Sequence, residues 1–200
     1  VSKVTELIYE VYRIDENDVE TRLYQKTTSL TDGSATVELE LVNNQDFRVL
    51  FWAQVPKNGV YTTTSLKEVK LATALNANAE NYAAFAGQDE ITYGENLAGR
   101  TVTLERPVAQ LNIATSAESL KLGEDENGAN AQTTVTFETT AVTVEGLSTV
   151  YNVAEGAAGA DEATFTYAAK PVALSETTLK VNGVDYSYVA MNYVGFAQPS

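Results

Sequence analysis

The sequence predicts an all-β fold, a β-sandwich with one or two short helical excursions. Composition is the first reason: 25 Thr, 22 Val and 11 Tyr make up 58 of the 200 residues, against 4 Ile and one Met. Those stiff or flat side chains suit a pleated, half-buried surface. The second reason is period-two alternation in most apolar segments. The third is the spacing of Gly, Asn, Asp and Pro clusters, which punctuate the chain as a sandwich requires. The 26 alanines favour helix, but many lie in loop-like or alternating contexts.

Residues 4–14 form the first expected strand, with Leu7, Tyr9 and Val11 on one face and Ile8, Glu10 and Tyr12 on the other. Asp15–Asp18 breaks it. Thr31–Ser34 contains Asp-Gly and signals a turn, after which Thr36–Val42 alternates, with Val37, Leu39 and Leu41 inward and Glu38 and Glu40 outward. Residues 43–46 turn again, and Phe47–Val55 is apolar on both faces, as a central strand is. Pro56 stops that strand. Ser65 is placed to cap a short turn carrying Leu66 and Val69, and Asn78 to cap a helix over Ala79–Ala86 closed by Gly87. These are the two helical excursions.

Thr101–Glu105 resumes as a strand with Val102 and Leu104 inward. Beyond Pro107 the phase slips to Ala109, Leu111 and Ile113, which fits a bulge or a crossing between sheets. Residues 123–132 read as an exposed loop. Further strands are expected at Thr133–Phe137, Ala141–Val144, Val150–Val153, Ala163–Ala169, Thr178–Val181 and Val184–Val194, the last two joined by the hairpin signal Asn182-Gly183. The total is nine or ten strands in one domain.

Function classes narrow from what the chain lacks. It has no His and no Cys, so a His-based triad, a thiol nucleophile and Cys/His metal sites are excluded. The 27 acids against 13 bases leave a net charge of −14, which opposes nucleic acid and anionic lipid. Between Lys121 and Lys170 there is no Lys or Arg but there are eight acids. That window is a solvated acidic face, or one that denies trypsin-like proteases a site. No apolar run is long enough to span a membrane as a helix. The start at Val1, without Met or signal peptide, reads as processed.

Candidate chemistry is sparse. Glu124, Asp125 and Glu126 offer oxygens for calcium but lack the spacing that converges them on one ion. Glu38 and Glu40 suggest a glycosidase pair, yet they occupy the outward face of an ordinary amphipathic strand. Thr62–Ser65 offers hydroxyls with no base nearby. Tyr186, Tyr188 and Tyr193, with Tyr9 and Tyr12, suggest either a sugar-stacking platform or cross-strand aromatic ladders. Trp52 is expected in the core, and Gln110 and Asn192 as buried amides satisfying backbone groups. No catalytic, cofactor-binding or metal-binding residue is assigned.

Several short segments, in order, carry a family resemblance: Tyr9-Glu10-Val11-Tyr12, Phe51-Trp52-Ala53-Gln54, Asn78-Ala79-Glu80 leading to Ala84-Phe85, Arg106 to Asn112, and Ala190-Met191-Asn192-Tyr193. Together they resemble the fimbrillin-like surface proteins of Bacteroides-type bacteria, the subunits of type V pili. The resemblance implies a transthyretin-like Greek-key β-sandwich over residues 1–195. It makes 196–200 the start of a linker to a C-terminal domain. It also implies a lipid anchor on an upstream Cys of the precursor, and protease-triggered assembly in which a strand of the next subunit fills a groove.

The expectation is thus a non-enzymatic fimbrial subunit or pilus-associated adhesin at the outer-membrane surface or in the extracellular fimbrium. Its partners are other pilus subunits, through strand exchange, and host or bacterial surface ligands. The alternative is a carbohydrate- or host-ligand-binding surface lipoprotein that does not polymerise. A carboxylate-only glycoside hydrolase stands third. No cofactor, nucleic acid or membrane-spanning segment is expected.

Overall fold

The computed structural model describes residues 3–42, 44–57, 59–76, 81–94, 99–124, 130–136, 138–171 and 178–196. In chain order the strands are β1 (Glu6–Ile14), β2 (Glu20–Ser29), β3 (Asp46–Gln54), β4 (Tyr61–Thr62), β5 (Val69–Leu71), β6 (Ala74–Asn76), β7 (Ala84–Ile91) and β8 (Val108–Ser116). They continue as β9 (Lys121–Glu124), β10 (Asn130–Thr134), β11 (Thr139–Ser148), β12 (Val150–Asn152), β13 (Ala157–Ala158), β14 (Glu162–Pro171), β15 (Thr178–Val181) and β16 (Val184–Phe196). The fold is the expected β-sandwich.

One long sheet, in the order β2-β1-β3-β7, organises it. β3 lies between β1 and β7 and is buried on both faces. The alternation in β1 sorts its side chains to two cores. Ile8 and Tyr12, with Leu50 and Trp52 of β3, face a second layer of shorter sheets that contributes Tyr61, Val69, Leu75, Tyr151, Phe165 and Phe196. Leu7, Tyr9 and Val11, with Phe47, Val49 and Phe51, form the opposite core. Each fully buried apolar side chain contributes about 1.5–3 kcal/mol, so a sheet apolar on both faces needs cover on both.

The second layer comprises sheets β13-β12-β5-β4, β11-β14-β6 and β15-β16-β8, with β9 and β10 as a separate pair. β6 runs parallel to β14; every other strand pairing among the described residues is antiparallel. The Thr140 hydroxyl of β11 donates to the Val189 carbonyl of β16 at 3.1 Å and links two of these sheets. Asn182 and Gly183, both with positive φ (50° and 84°), turn β15 into β16 as the sequence predicts.

The structure departs from the sequence reading in four places. Ala84–Ala86, expected at the end of a helix, begin strand β7 and pair with Gln54, Ala53 and Trp52 of β3; Asn78–Glu80 lie outside the described residues. Ser65 does make a turn, its carbonyl accepting from Glu68 N–H at 3.1 Å, but Val69 goes directly into β5. Among the described residues the helical element is a single 3-10 turn at Glu118–Leu120, following β8. Tertiary pairing overrides the helix propensity of the alanines.

Secondly, Thr36–Val42 keeps its alternation but joins no sheet among the described residues. Val37, Leu39 and Leu41 are half-buried against the Leu7/Tyr9/Phe51 core while Glu38 and Glu40 are exposed. Thr101–Glu105 likewise lies on that core through Val102 and Leu104, and makes one bridge, Glu105 to Ala86. Past Pro107 the chain does cross to another sheet, as the phase slip indicates.

Thirdly, β2 is a strand that the sequence does not signal, because Glu20-Thr-Arg-Leu-Tyr-Gln-Lys is polar on both faces of an exposed edge. Lastly, the ends of the 123–132 loop belong to β9 and β10.

Candidate functional site: a buried carboxylate clamp and uncovered strands

Glu10 is wholly buried in the middle of β1, on the face it shares with Ile8 and Tyr12. Its Oε2 accepts from the Tyr12 hydroxyl at 2.6 Å and from Leu66 N–H at 3.0 Å; its Oε1 accepts from Arg22 Nη1 at 2.7 Å and Gln25 Nε2 at 3.0 Å. The last two donors also reach the Thr64 and Thr63 carbonyls, each at 2.8 Å. One carboxylate therefore pins the 63–66 loop to the first two strands. A buried charge is tolerated only when it is paired and hydrogen-bonded, and this one has four donors. Burial, followed by the hydrogen bond to Glu10, raises the Tyr12 pKa to about 12, so its phenol stays protonated and donating.

A second polar cluster adjoins the first. Glu20 takes Arg48 Nε and Lys67 Nζ, both at 2.6 Å, and the Lys67 ammonium lies 4.4 Å from the Tyr12 ring centroid. Burial alone would raise the Glu20 pKa, but the hydrogen bonds from Lys67 and Arg48 outweigh it and hold it below the ordinary carboxylate value. Arg48 continues to Glu90 and to Gln88 at 2.6 Å. These carboxylates are paired with neighbouring cations. Their arrangement clamps strands and loops.

The candidates named from sequence fall apart spatially. Tyr9 and Tyr12 lie in opposite cores, Tyr9 packing edge-on to Tyr24 with centroids 6.4 Å apart. With those two on opposite sides of the sheet the five tyrosines do not form one platform; Tyr186 and Tyr188 of β16 are half-buried, and the Tyr193 and Asn192 side chains lie outside the described ones. Glu40 pairs with Lys26 at 3.1 Å and Glu38 stays exposed. Thr63 and Thr64 serve through their carbonyls, and Ser65 Oγ accepts from Lys67 N–H at 3.3 Å.

Trp52 is in the core as expected, its Nε1–H donating to Gln54 at 3.0 Å. Gln110 is exposed, contrary to the buried-amide reading, and donates to Asn112 at 3.1 Å. Asp125 and Glu126 lie outside the described residues, among which no acidic cluster is placed to hold a metal. No helix among the described residues is long and apolar enough to cross a membrane. Sequence reasoning missed the Glu10 clamp. The signal was present: a carboxylate in the middle of a strand apolar on both faces.

What remains uncovered is backbone. β2 is an edge strand that carries Glu20, Arg22 and Lys26, charges of the kind that discourage strand addition. Thr36–Val42 lies over the second core with no ladder among the described residues.

Residues 5–195 match a family of unknown function, DUF6562. The chain belongs to that family. No curated protein matches it in sequence. Three solved structures share the fold. A protein of Bacteroides thetaiotaomicron provisionally assigned to polysaccharide binding (DUF1812) superposes with a TM-score of 0.57 at 13% identity, covering 96% of this chain and 63% of the other. A provisionally assigned adhesin of the same organism gives 0.54 at 12% identity, over 98% of this chain and 63% of that one. The fimbrial anchor protein Mfa2 of Porphyromonas gingivalis gives 0.50 at 10% identity, over 100% of this chain and 67% of that one. This member of DUF6562 therefore spans less than two thirds of the length of the first two.

Proposed function

We propose that the chain is a non-enzymatic part of a bacterial surface adhesin or fimbrial protein, assembled with other subunits by β-strand complementation. The observation that carries this reading is the shared fold: nearly the whole chain superposes on a provisionally assigned adhesin, a provisionally assigned polysaccharide-binding protein and a fimbrial anchor. The fimbrillin-like resemblance of its sequence points the same way. Strand complementation is supported by an extended, alternating segment that has no ladder partner among the described residues. The proposed location is the outer-membrane surface or the extracellular fimbrium, reached through a lipidated precursor.

Surface labelling of intact cells with antibody to this chain, together with its recovery from sheared fimbriae, tests the reading. Labelling that appears only after lysis overturns it. A second reading, binding of a polysaccharide without polymerisation, is favoured by the DUF1812 likeness. A glycan-array signal from a chain that never enters fimbriae would select it. Turnover of glycosides abolished by one Glu or Asp substitution would refute the non-enzymatic assignment.

A further inference from the structure

We propose that Thr36–Val42 is a strand awaiting its ladder. It takes up an extended segment of another polypeptide whose alternate residues are apolar toward the sheet and basic or uncharged toward solvent. The inference rests on the strand-complementation reading and adds the place and the chemistry of the partner.

The segment is held as a strand without being paired as one. Its entry is fixed by the Thr31–Ser34 turn, in which each N–H reaches the other's carbonyl (2.9 and 3.0 Å) and Gly33 takes φ +78°. Val37, Leu39 and Leu41 then lie on the core formed by Leu7, Tyr9 and Phe51. Among the described residues, the hydrogen bond made by the Thr36–Val42 backbone is Glu40 N–H to the Tyr24 hydroxyl, at 3.3 Å. The remaining N–H and C=O groups make no hydrogen bond among the described residues, while alternate burial of Val37, Leu39 and Leu41 holds the run extended. Much of the ordering entropy of strand formation is thus already spent, so a partner gains ladder hydrogen bonds at reduced cost. Tyr24, on the same sheet face, is only half-buried, so apolar surface remains beside the segment for a partner to cover.

Charge selects the partner. Two copies of the segment paired antiparallel about Leu39 would set Glu38 of each opposite Glu40 of the other, and like charges directly opposite destabilise a ladder. A net charge of −14 adds longer-range repulsion between copies. Glu38 has no ion pair among the described residues, and Glu40 has only the exposed Lys26. A strand presenting Lys, Arg, Ser or Thr on its solvent face meets both carboxylates favourably.

The test is hydrogen–deuterium exchange of the chain with short synthetic peptides: one alternating Val and Lys, one alternating Val and Glu, and a scrambled peptide of the first composition. With the Lys peptide at ten times its Kd, amides of Thr36–Val42 should exchange about tenfold more slowly and Tm should rise. The Glu and scrambled peptides should do neither, and Glu38→Lys/Glu40→Lys, at two exposed positions, should reverse the preference. Equal protection by all three peptides overturns the partner chemistry. Slow exchange of these amides in the free chain overturns the unladdered state. Protection confined to another edge, such as β2 or β8, overturns the location while strand complementation survives. No protection and no Tm shift with any peptide overturns both.

Discussion

Replacing Glu10 separates a structural clamp from a decorative polar contact. Glu10→Ala removes the acceptor of four donors at 2.6–3.0 Å. Two of them, the Tyr12 hydroxyl and Leu66 N–H, belong to buried residues. Leaving such a donor unsatisfied costs about 1–3 kcal/mol. The Arg22 side chain is 43% exposed and, like Gln25, keeps a backbone carbonyl, so these two add little. The expected loss is about 4 kcal/mol, or about 12 °C in Tm for a chain of this size. Glu10→Gln retains one carbonyl oxygen but turns an NH2 toward the remaining donors, and should lose about 2 kcal/mol. Urea denaturation followed by fluorescence reads both values cleanly, because Trp52 is the only Trp and is fully buried. A loss below about 1 kcal/mol for Glu10→Ala would refute the claim that this carboxylate holds the 63–66 loop.

Three further outcomes follow from the same geometry. The lowered pKa of Glu20 means that its ion pairs with Lys67 and Arg48 stabilise fully above its ordinary value of 4.5 and are lost as pH falls through the folded value. Glu20→Gln should therefore cost about 1–2 kcal/mol near neutral pH. That difference should vanish in acid, as measured by urea midpoints across pH. The raised pKa values of Tyr12, Tyr61 and Tyr151, with burial the leading cause in each, have the opposite sign. Stability should hold up to the ordinary value of 10.0 and fall above it, because the unfolded chain releases those protons first; tyrosinate absorbance should rise together with unfolding. A Cβ at Gly87 would stand 2.8 Å from Leu104 Cδ2 and 3.2 Å from the Thr103 carbonyl. Gly87→Val should cost about 1–3 kcal/mol and loosen residues 101–105, read as faster amide exchange at Glu105.

The parts legible in sequence are those whose environment is set by their own side chains. β1 and β3 announce themselves because buried strands must be apolar on the faces they bury, and Asn182-Gly183 because few other residues adopt that turn. β2 was invisible: an edge strand with one half-exposed face needs no apolar period, and its pairing to β1 is a property of β1. The Ala-rich stretch from 72 to 86 misled for the opposite reason, since small side chains satisfy helix propensity and close strand packing alike. Thr36–Val42 is the most instructive case. Its period is legible in the sequence, yet whether a period-two segment has a ladder depends on neighbours that its own residues do not encode. Glu10 was legible as an anomaly, but its four donors come from three separate stretches of chain and could not be assembled from spacing.

The two faces of the long sheet differ in what it takes to open them. On the Trp52 side, separation would expose a wide apolar core and break the Glu10 clamp, costs that exceed the total stability of about 5–15 kcal/mol of a typical domain. On the Tyr9 side, part of the cover is Thr36–Val42, whose three inward side chains are only half-buried and whose backbone makes no ladder among the described residues. Displacing it forfeits roughly half the burial energy of three aliphatic residues, about 3 kcal/mol, and no ladder hydrogen bonds. A partner strand that pairs with the segment supplies a ladder of six or so bonds, at a net of about 1 kcal/mol each, and more than offsets the cost of shifting it. The face that carries Thr36–Val42 is therefore the one that opens at lower cost, while the clamped face keeps the sandwich intact.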